Sequence, residues 1–339
     1  MIIRQKSYPR AGLIGNPSDG YFGKTIAFAF TNFCAEVVLY ETPDLEILPN
    51  TRDHSRFASL SALVDDVQLF GYYGGIRLLK AALKHFHDYC CQEGIVLHDR
   101  NFTLRYNSDI PHLVGLAGSS AIITACMRAL MAFYGIPIPK PHLANLILSV
   151  ETEELQISAG LQDRVAQAYR GLVYMDFDET NMNKTGYGKY VELDPALLPP
   201  LYIAYRTELA ENSGVFHSGL RHRYLDRDPD VLAAIEAWVG MTDEVFTALT
   251  GGAGAQIGKV MNRNFDTRMA LGGVNDGNQE LVRIARSVGA SAKLTGSGGA
   301  IIGTIDNDAM FVRLQAACEP CGIKVLVPNI APAAGEDAL

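Results

Sequence analysis

Between residues 10 and 48 apolar and polar positions alternate at a period close to two in places, and β-branched and aromatic side chains are common. RAGLIG, KTIAFAFTNFCAEVVLY and DLEIL therefore read as strands. The period then changes. In residues 72–92 (YYGGIRLLKAALKHFHDYCCQ), Ile76, Leu79, Leu83 and Phe86 share one helical face. NFTLRYNSDIP reads as a strand closed by a turn. A second helical stripe follows the stretch VGLAGSSAI, carried by Ile122, Ala125, Cys126, Ala129, Leu130 and Phe133. Pro137, Pro139 and Pro141 punctuate the next connection. HLANLILSVETEEL and LQDRVAQAY then have helical spacing, and GLVYMDF reads as a strand.

The polar, turn-rich DETNMNKTGYGKYVELDPALLPP marks a boundary near residues 178–199. Beyond it come strand LYIAYR, several helices to Val288, strand AKLTG, a glycine-dense turn, strand AIIGTI, a helix and strand IKVLV. Strands and helices alternate only partly in each half, which is an α+β pattern. Two domains are expected, over residues 1–185 and 198–339.

Composition narrows the function classes. The 339 residues are 48% hydrophobic and 19% charged, a globular mixture with ample core material. A net charge of −8 argues against a nucleic-acid binder or a protein of anionic membranes. It leaves room for a local anion site made of backbone N–H groups. No stretch approaches the roughly 18 apolar residues of a membrane span, and MIIRQKSYPRAGLIG has no signal-peptide pattern. Cys90 and Cys91 are adjacent, and Cys318 and Cys321 form a lone C-x-x-C. The six cysteines make neither a disulfide framework nor a paired zinc motif, so free thiols in a reducing cytoplasm are expected.

Three glycine-rich stretches compete as an anion site. SDGYFGKT nearly matches a P-loop, but serine stands at its first position and IAFAFTNF after it looks like strand. VGLAGSSAI opens a helix, whose unpaired N–H groups and partial positive charge attract phosphate. It is equally readable as an ordinary serine-capped helix. KLTGSGGAIIG is either a tight hairpin or a turn that brings amides against an anion.

In this order, the three stretches resemble the motifs of the galactokinase–homoserine kinase–mevalonate kinase–phosphomevalonate kinase (GHMP) superfamily. RAGLIGNPSDGYFGKT, GYYGGIRLL, HDRNFTL, GLAGSSAI, AGLQDRVAQAY, GLVYMDF and KLTGSGGA are similar to the plant-type glucuronokinase family, across residues 10 to 300. The resemblance implies a two-domain α+β fold. Its N-terminal domain would resemble ribosomal protein S5 domain 2, and its C-terminal domain would be ferredoxin-like. It implies a cytoplasmic enzyme with ATP and Mg²⁺ that phosphorylates D-glucuronate at the anomeric hydroxyl, giving 1-phospho-D-glucuronate for sugar-nucleotide salvage. Its partners would be small molecules, with no nucleic acid and no membrane. Other substrates remain open: galacturonate, a heptose or a neutral hexose. So does a non-catalytic sugar sensor on the same fold.

The same resemblance implies the roles of individual residues. ATP would lie on Gly115, Leu116, Ala117, Gly118, Ser119 and Ser120, with Gly296, Ser297 and Gly298 of the third motif. One extra residue separates the glycines of GLAGSS compared with the commoner G-L-G-S-S. Ser120 and Glu151 match the Mg²⁺ ligands. Glu153 and Glu154 lie close by and read more simply as a solvated helix face. Asp163 matches the catalytic aspartate, although an Asp at a helix start is by itself most simply a cap. Arg10 would neighbour it and keep it ionised. Asp19 falls where sugar kinases place an acceptor for sugar hydroxyls; Asn16-Pro17-Ser18-Asp19 departs from the galactokinase form. A uronate carboxylate needs cations, for which Arg164 and Lys24 are the choices. Tyr72 and Tyr73 either line the sugar or pack in the core. His98, Asp99 and Arg100 are structural or face the nucleotide. The whole reading requires Asp163 and residues 118–120 to share one crevice.

Overall fold

A computed structural model describes residues 1–50, 53, 74–206 and 213–333. Among the described residues, twelve strands are arranged in three four-stranded sheets, and helices pack between and around them. β1 (Ile2–Ser7), β4 (Ala35–Thr42), β6 (Asn101–Ser108) and β5 (Glu46–Leu48) form the first sheet, in the order β1-β4-β6-β5. β2 (Arg10–Ile14), β3 (Lys24–Ala29), β7 (Leu172–Asp176) and β8 (Lys189–Leu193) form the second. The third has the order β10 (Lys293–Leu294), β11 (Ala300–Thr304), β9 (Leu201–Tyr205), β12 (Lys324–Leu326). The α+β expectation is met. KTIAFAFTNFCAEVVLY is two strands, β3 and β4, in different sheets. β1 has too few apolar residues to be read from periodicity, and it sits at a sheet edge.

The helices of the first half are α1 (Gly75–Gln92), α2 (Gly118–Tyr134), α3 (Lys140–Ser149), α4 (Leu161–Tyr169) and α5 (Glu179–Thr185). In α1, Leu79 and Phe86 enter the core as expected, but Ile76 and Leu83 are only half-buried and Leu78 and Ala82 take the inner positions. α2 is the central helix. Nearly every residue from Ser120 to Phe133 is buried, and α2 ends at Gly135 in the left-handed region. Its outward end carries the candidate phosphate loop.

The second half holds α6 (Ser213–Leu225), α7 (Pro229–Thr250), α8 (Ile257–Ala270), α9 (Asp276–Ser287) and α10 (Asp308–Cys318). One apolar core is shared across the halves. Ala11, Leu13, Ile26 and Phe28 of the second sheet meet Ile203 of β9, Met241 and Val245 of α7 and Ile302 of β11. The polar stretch after residue 178 is not a bare linker, because it holds α5 and β8, and β8 pairs with β7 in antiparallel register. The limit at residue 185 would cut that sheet, so we propose that the first domain runs to Leu193. Among the described residues no helix is long and apolar enough to cross a membrane, and the six cysteines are free thiols.

Candidate active site

The loop before α2 turns sharply. Gly115 (φ 67°) and Ala117 (φ 61°, ψ 45°) both occupy the left-handed region. Ala117 is the residue before the first helical turn, and no side chain caps that turn. The ordinary serine-capped helix is thereby excluded. The first N–H groups of α2 have no partner within the helix and no carboxylate in the first turn. Gly115, Ala117, Gly118 and Ser119 are only half-buried, so this end opens to a ligand.

Arg10, at the start of β2, ties Asp163 to the second and third glycine-rich stretches. Its Nε donates to Asp163 Oδ1. Its Nη1 donates to the Gly115 carbonyl at 2.8 Å and the Thr295 carbonyl at 3.2 Å. Gly115 and Gly296 are required here: a Cβ on Gly115 would lie 2.6 Å from the Gly298 carbonyl oxygen, and one on Gly296 2.7 Å from that of Gly115. In the third motif, Arg268 donates to the Gly296 and Ser297 carbonyls, both at 2.8 Å, and Gly299 N–H donates to Asn278 Oδ1 at 2.8 Å. Lys293 is fully enclosed, donating to Gly12 O and Asn16 Oδ1. Burial first, then Arg268 and Arg10, push its pKa well down.

Asp163 is the third residue of α4, not its cap, which is Gly160 with no side-chain bond. Burial alone would raise its pKa, but Arg10 and then Arg164 outweigh it and hold the carboxyl below its usual value. The side chain of Arg10 is 5% exposed and that of Asp163 18%, so one edge of the carboxylate faces outward. The α4 helix is anchored at its other end: Arg128 donates to the Gln167 and Ala168 carbonyls. Gln167, one turn after Asp163, donates to the Ala117 carbonyl at 2.8 Å. The acid and the helix end at 118–120 therefore lie close together, linked through Arg10 and Gln167.

After Ser149 the α3 helix widens into a π-turn over Val150–Glu154. Such turns often mark functional positions. Here it buries Glu151, leaves Glu153 exposed and directs Glu154 to Lys84 at 2.6 Å. Of the three acids, Glu151 is the one that faces the loop before α2. Ser119 Oγ donates to Glu151 Oε1 at 2.7 Å. Ser120 is fully buried, and its hydroxyl donates to the Ala117 carbonyl at 3.2 Å. The hydroxyl beside Glu151 is that of Ser119, whereas the Ser120 hydroxyl stays on its own helix turn. The left-handed turn at Ala117 aims the first serine, not the second, at the acid.

Both cations chosen for a uronate carboxylate are committed elsewhere. Arg164 donates from Nε and Nη2 to Glu151 Oε2 and from Nη1 to Gly160 O at 2.8 Å, and lies 3.3 Å from Asp163 Oδ2. With 5% of its side chain exposed, it has no open fork. Lys24 opens β3 and is bound by Asp243 of α7 at 2.9 Å, with Asp176 at 3.8 Å. No helix follows it, so the P-loop alternative fails as well. Tyr72 and Tyr73 lie outside the described residues. His98 and Arg100 bond one another and pack against Phe133 on the outer side of α2.

Asp19 does lie beside Asp163, at the start of α4. The Gln162 N–H donates to its Oδ2 at 3.3 Å. Burial, then the neighbouring Asp163, raise its pKa to about 6 against the pull of Gln162, Arg10 and Arg164. Gly160 matters here: a Cβ on it would lie 2.2 Å from Asp19 Oδ2. Neither Gly160 nor Gln167 was singled out from the sequence. Their only signal was adjacency to Asp163, at i−3 and i+4.

The model of the GHMP kinases N terminal domain matches residues 77–171. A mevalonate kinase structure from Methanococcus jannaschii superposes with a TM-score of 0.70, 19% identity and 98% coverage of both chains. A Lactococcus lactis galactokinase complexed with galactose gives 0.73 at 15% identity, covering 97% of this chain and 93% of that one. Glucuronokinase 1 of Arabidopsis thaliana is 41% identical over 99% of this chain and 94% of its own length. Probable glucuronokinase 2 of the same plant is 42% identical over 98% and 92%. The chain belongs to the GHMP kinases and, among them, to the glucuronokinase family.

Proposed function

We propose that the protein transfers the γ-phosphoryl group of ATP to the anomeric hydroxyl of D-glucuronate, giving ADP and 1-phospho-D-glucuronate. The observation that supports this reading best is the Arg10–Asp163 pair beside the uncapped start of α2. Phosphate oxygens have amides to accept from at residues 118–120, and a sugar hydroxyl has an ionised carboxylate within the same crevice. In that reading the anomeric oxygen forms a bond to the γ-phosphorus as the bond to the ADP oxygen breaks. The hydroxyl proton passes to Asp163. A carboxylate held below its usual pKa is a weak base, so the transfer comes late, as the oxygen's electrons move to phosphorus. The rate enhancement then rests chiefly on positioning and on the charge of Arg10 and the α2 amides. The retained acid–arginine pair favours a kinase over a sugar sensor. The test is a coupled ADP-release assay with a panel of free sugars and uronic acids, with the phosphorylated position read by NMR. Turnover of neutral sugars but not glucuronate would overturn the substrate assignment.

Mg²⁺ fits this site. Ser119 Oγ and Glu151 Oε1 are adjacent oxygen donors, of the kind that ion takes together with phosphate oxygens and water. Bound there with ATP, it would neutralise charge on the transferred group. Ser119→Ala is expected to lower kcat about tenfold or more and to raise the Mg²⁺ concentration for half-maximal rate. Ser120→Ala should leave both nearly unchanged, because its hydroxyl only bonds its own helix turn. Steady-state kinetics across a Mg²⁺ series separate the two.

Asp19 is assigned to the sugar hydroxyls. Gly160→Ala displaces its carboxylate. Loss of a charged hydrogen bond to the sugar predicts a KM for glucuronate raised about tenfold or more, with the KM for ATP unchanged. The six free thiols suit a reducing cytoplasm.

A further inference from the structure

Arg164 is committed to Glu151 and Lys24 to Asp243, so neither is open to the carboxylate of a uronate. We propose that Arg221, on α6 of the second half, binds that carboxylate and sets the preference for a sugar acid. The proposal rests on the uronate reading above.

Asp19 belongs to a short 3-10 turn, Ser18–Tyr21, whose last residue is the buried Tyr21. Tyr21 packs its ring against Tyr224 of α6, with centroids 4.9 Å apart. Leu220 of the same helix is buried in the same apolar group, with Val231 and Trp238. Arg221 therefore stands beside a buried anchor and one turn before Tyr224, on the part of α6 that is docked over the Asp19 turn. The Tyr21 hydroxyl lies in the fields of both groups. Burial, then Asp19, push its pKa up to about 12, and Arg221 pulls it back. The Asp19 turn of the first half and the α6 segment that carries Arg221 thus meet at the Tyr21–Tyr224 contact.

The side chain of Arg221 is exposed, and among the described residues no carboxylate pairs with it. Its neighbours on the helix differ. Arg223 is bound to Asp228 at 2.7 Å and to the Leu271 carbonyl at 3.0 Å, and His222 lies 3.9 Å from Asp226. The planar fork of an arginine matches a carboxylate with two parallel N–H donors. In a pyranuronate the carboxylate sits across the ring oxygen from the anomeric carbon. A sugar that meets Asp163 through its anomeric hydroxyl and Asp19 through its other hydroxyls therefore keeps the carboxylate within one ring's width of both acids. A cation is needed there to offset their repulsion. Placing it on α6 also makes the second half close on the sugar.

The test compares the wild type with Arg221→Leu and Arg221→Lys, using D-glucuronate as substrate and the neutral D-glucuronamide as competitor. Arg221→Leu is expected to raise the KM for glucuronate about 10- to 100-fold, the loss of one charge-assisted contact, with the KM for ATP unchanged. Arg221→Lys should recover part of it. The inhibition constant of glucuronamide should be the same in all three proteins. A glucuronate KM within twofold of wild type in Arg221→Leu overturns the proposal. Equal weakening of glucuronate and glucuronamide overturns it too, because that shows a merely structural role. Wild-type protein that turns over other sugars but not glucuronate overturns the functional reading together with this proposal, whereas an active wild type beside an unaffected variant overturns this proposal alone.

Discussion

Asp163→Asn is expected to lower kcat by about 10²- to 10⁴-fold while leaving the KM for ATP close to wild type. The amide keeps the shape of the side chain and can still touch Arg10, but it cannot take a proton from the attacking hydroxyl. The ATP loop is held by other contacts, through Gln167 and Ser119, so nucleotide binding should survive. The substitution has a second consequence at Asp19. Burial and the charge of Asp163 raise the Asp19 pKa to about 6. A neutral residue at 163 removes one of these causes, while Arg10 and Arg164 remain. The Asp19 pKa then falls, and the acid limb of the residual kcat/KM profile should move to lower pH than in wild type. A pH–rate series on both proteins checks the rate and the limb together. A variant retaining more than a tenth of wild-type kcat would remove Asp163 from the chemistry.

The parts of this site that were legible in the sequence are those whose chemistry is local. A helix start follows from glycines before an apolar stripe, and the family resemblance of the motifs around them picked out Asp163 and Arg10. What was not legible depends on distant partners. Arg164 looks like a free guanidinium until the π-turn at 150–154 brings Glu151, thirteen positions earlier, onto it. Lys24 looks solvated until α7 delivers Asp243, 219 positions later. Only the resemblance ranked the two serines, because the backbone of Ala117 decides which hydroxyl faces Glu151, and a left-handed alanine leaves no mark in a sequence. The same holds for the fold. Helices with a strong stripe were plain, whereas β8 sits in a polar stretch and owes its place to pairing with β7.

Arg10→Met should damage stability as well as catalysis. The wild-type guanidinium is almost completely buried and holds three acceptors from three separate motifs. Its loss strands the Asp163 carboxylate with Arg164 alone and frees the Gly115 and Thr295 carbonyls. Breaking a buried pair in this way costs about 3–5 kcal/mol, which corresponds to a fall in Tm of roughly 5–15 °C. The pH dependence has a definite sign. Arg10 depresses the folded pKa of Asp163. The stability it contributes is therefore fully present above the unfolded value of about 4 and lost as pH falls through the lower folded value. The gap in Tm between wild type and variant should thus be widest near pH 8 and narrow as pH falls, first where Asp19 titrates, because Arg10 also holds down the Asp19 pKa of about 6, and further below about pH 4 as Asp163 protonates. Calorimetry across that range measures it. Arg10→Lys restores a charge beside Asp163 but not a fork that reaches both carbonyls, so it should recover more kcat than Tm. A variant that loses kcat with an unchanged Tm would mean that Arg10 acts only on the transferred phosphoryl group and that the three motifs hold together without it.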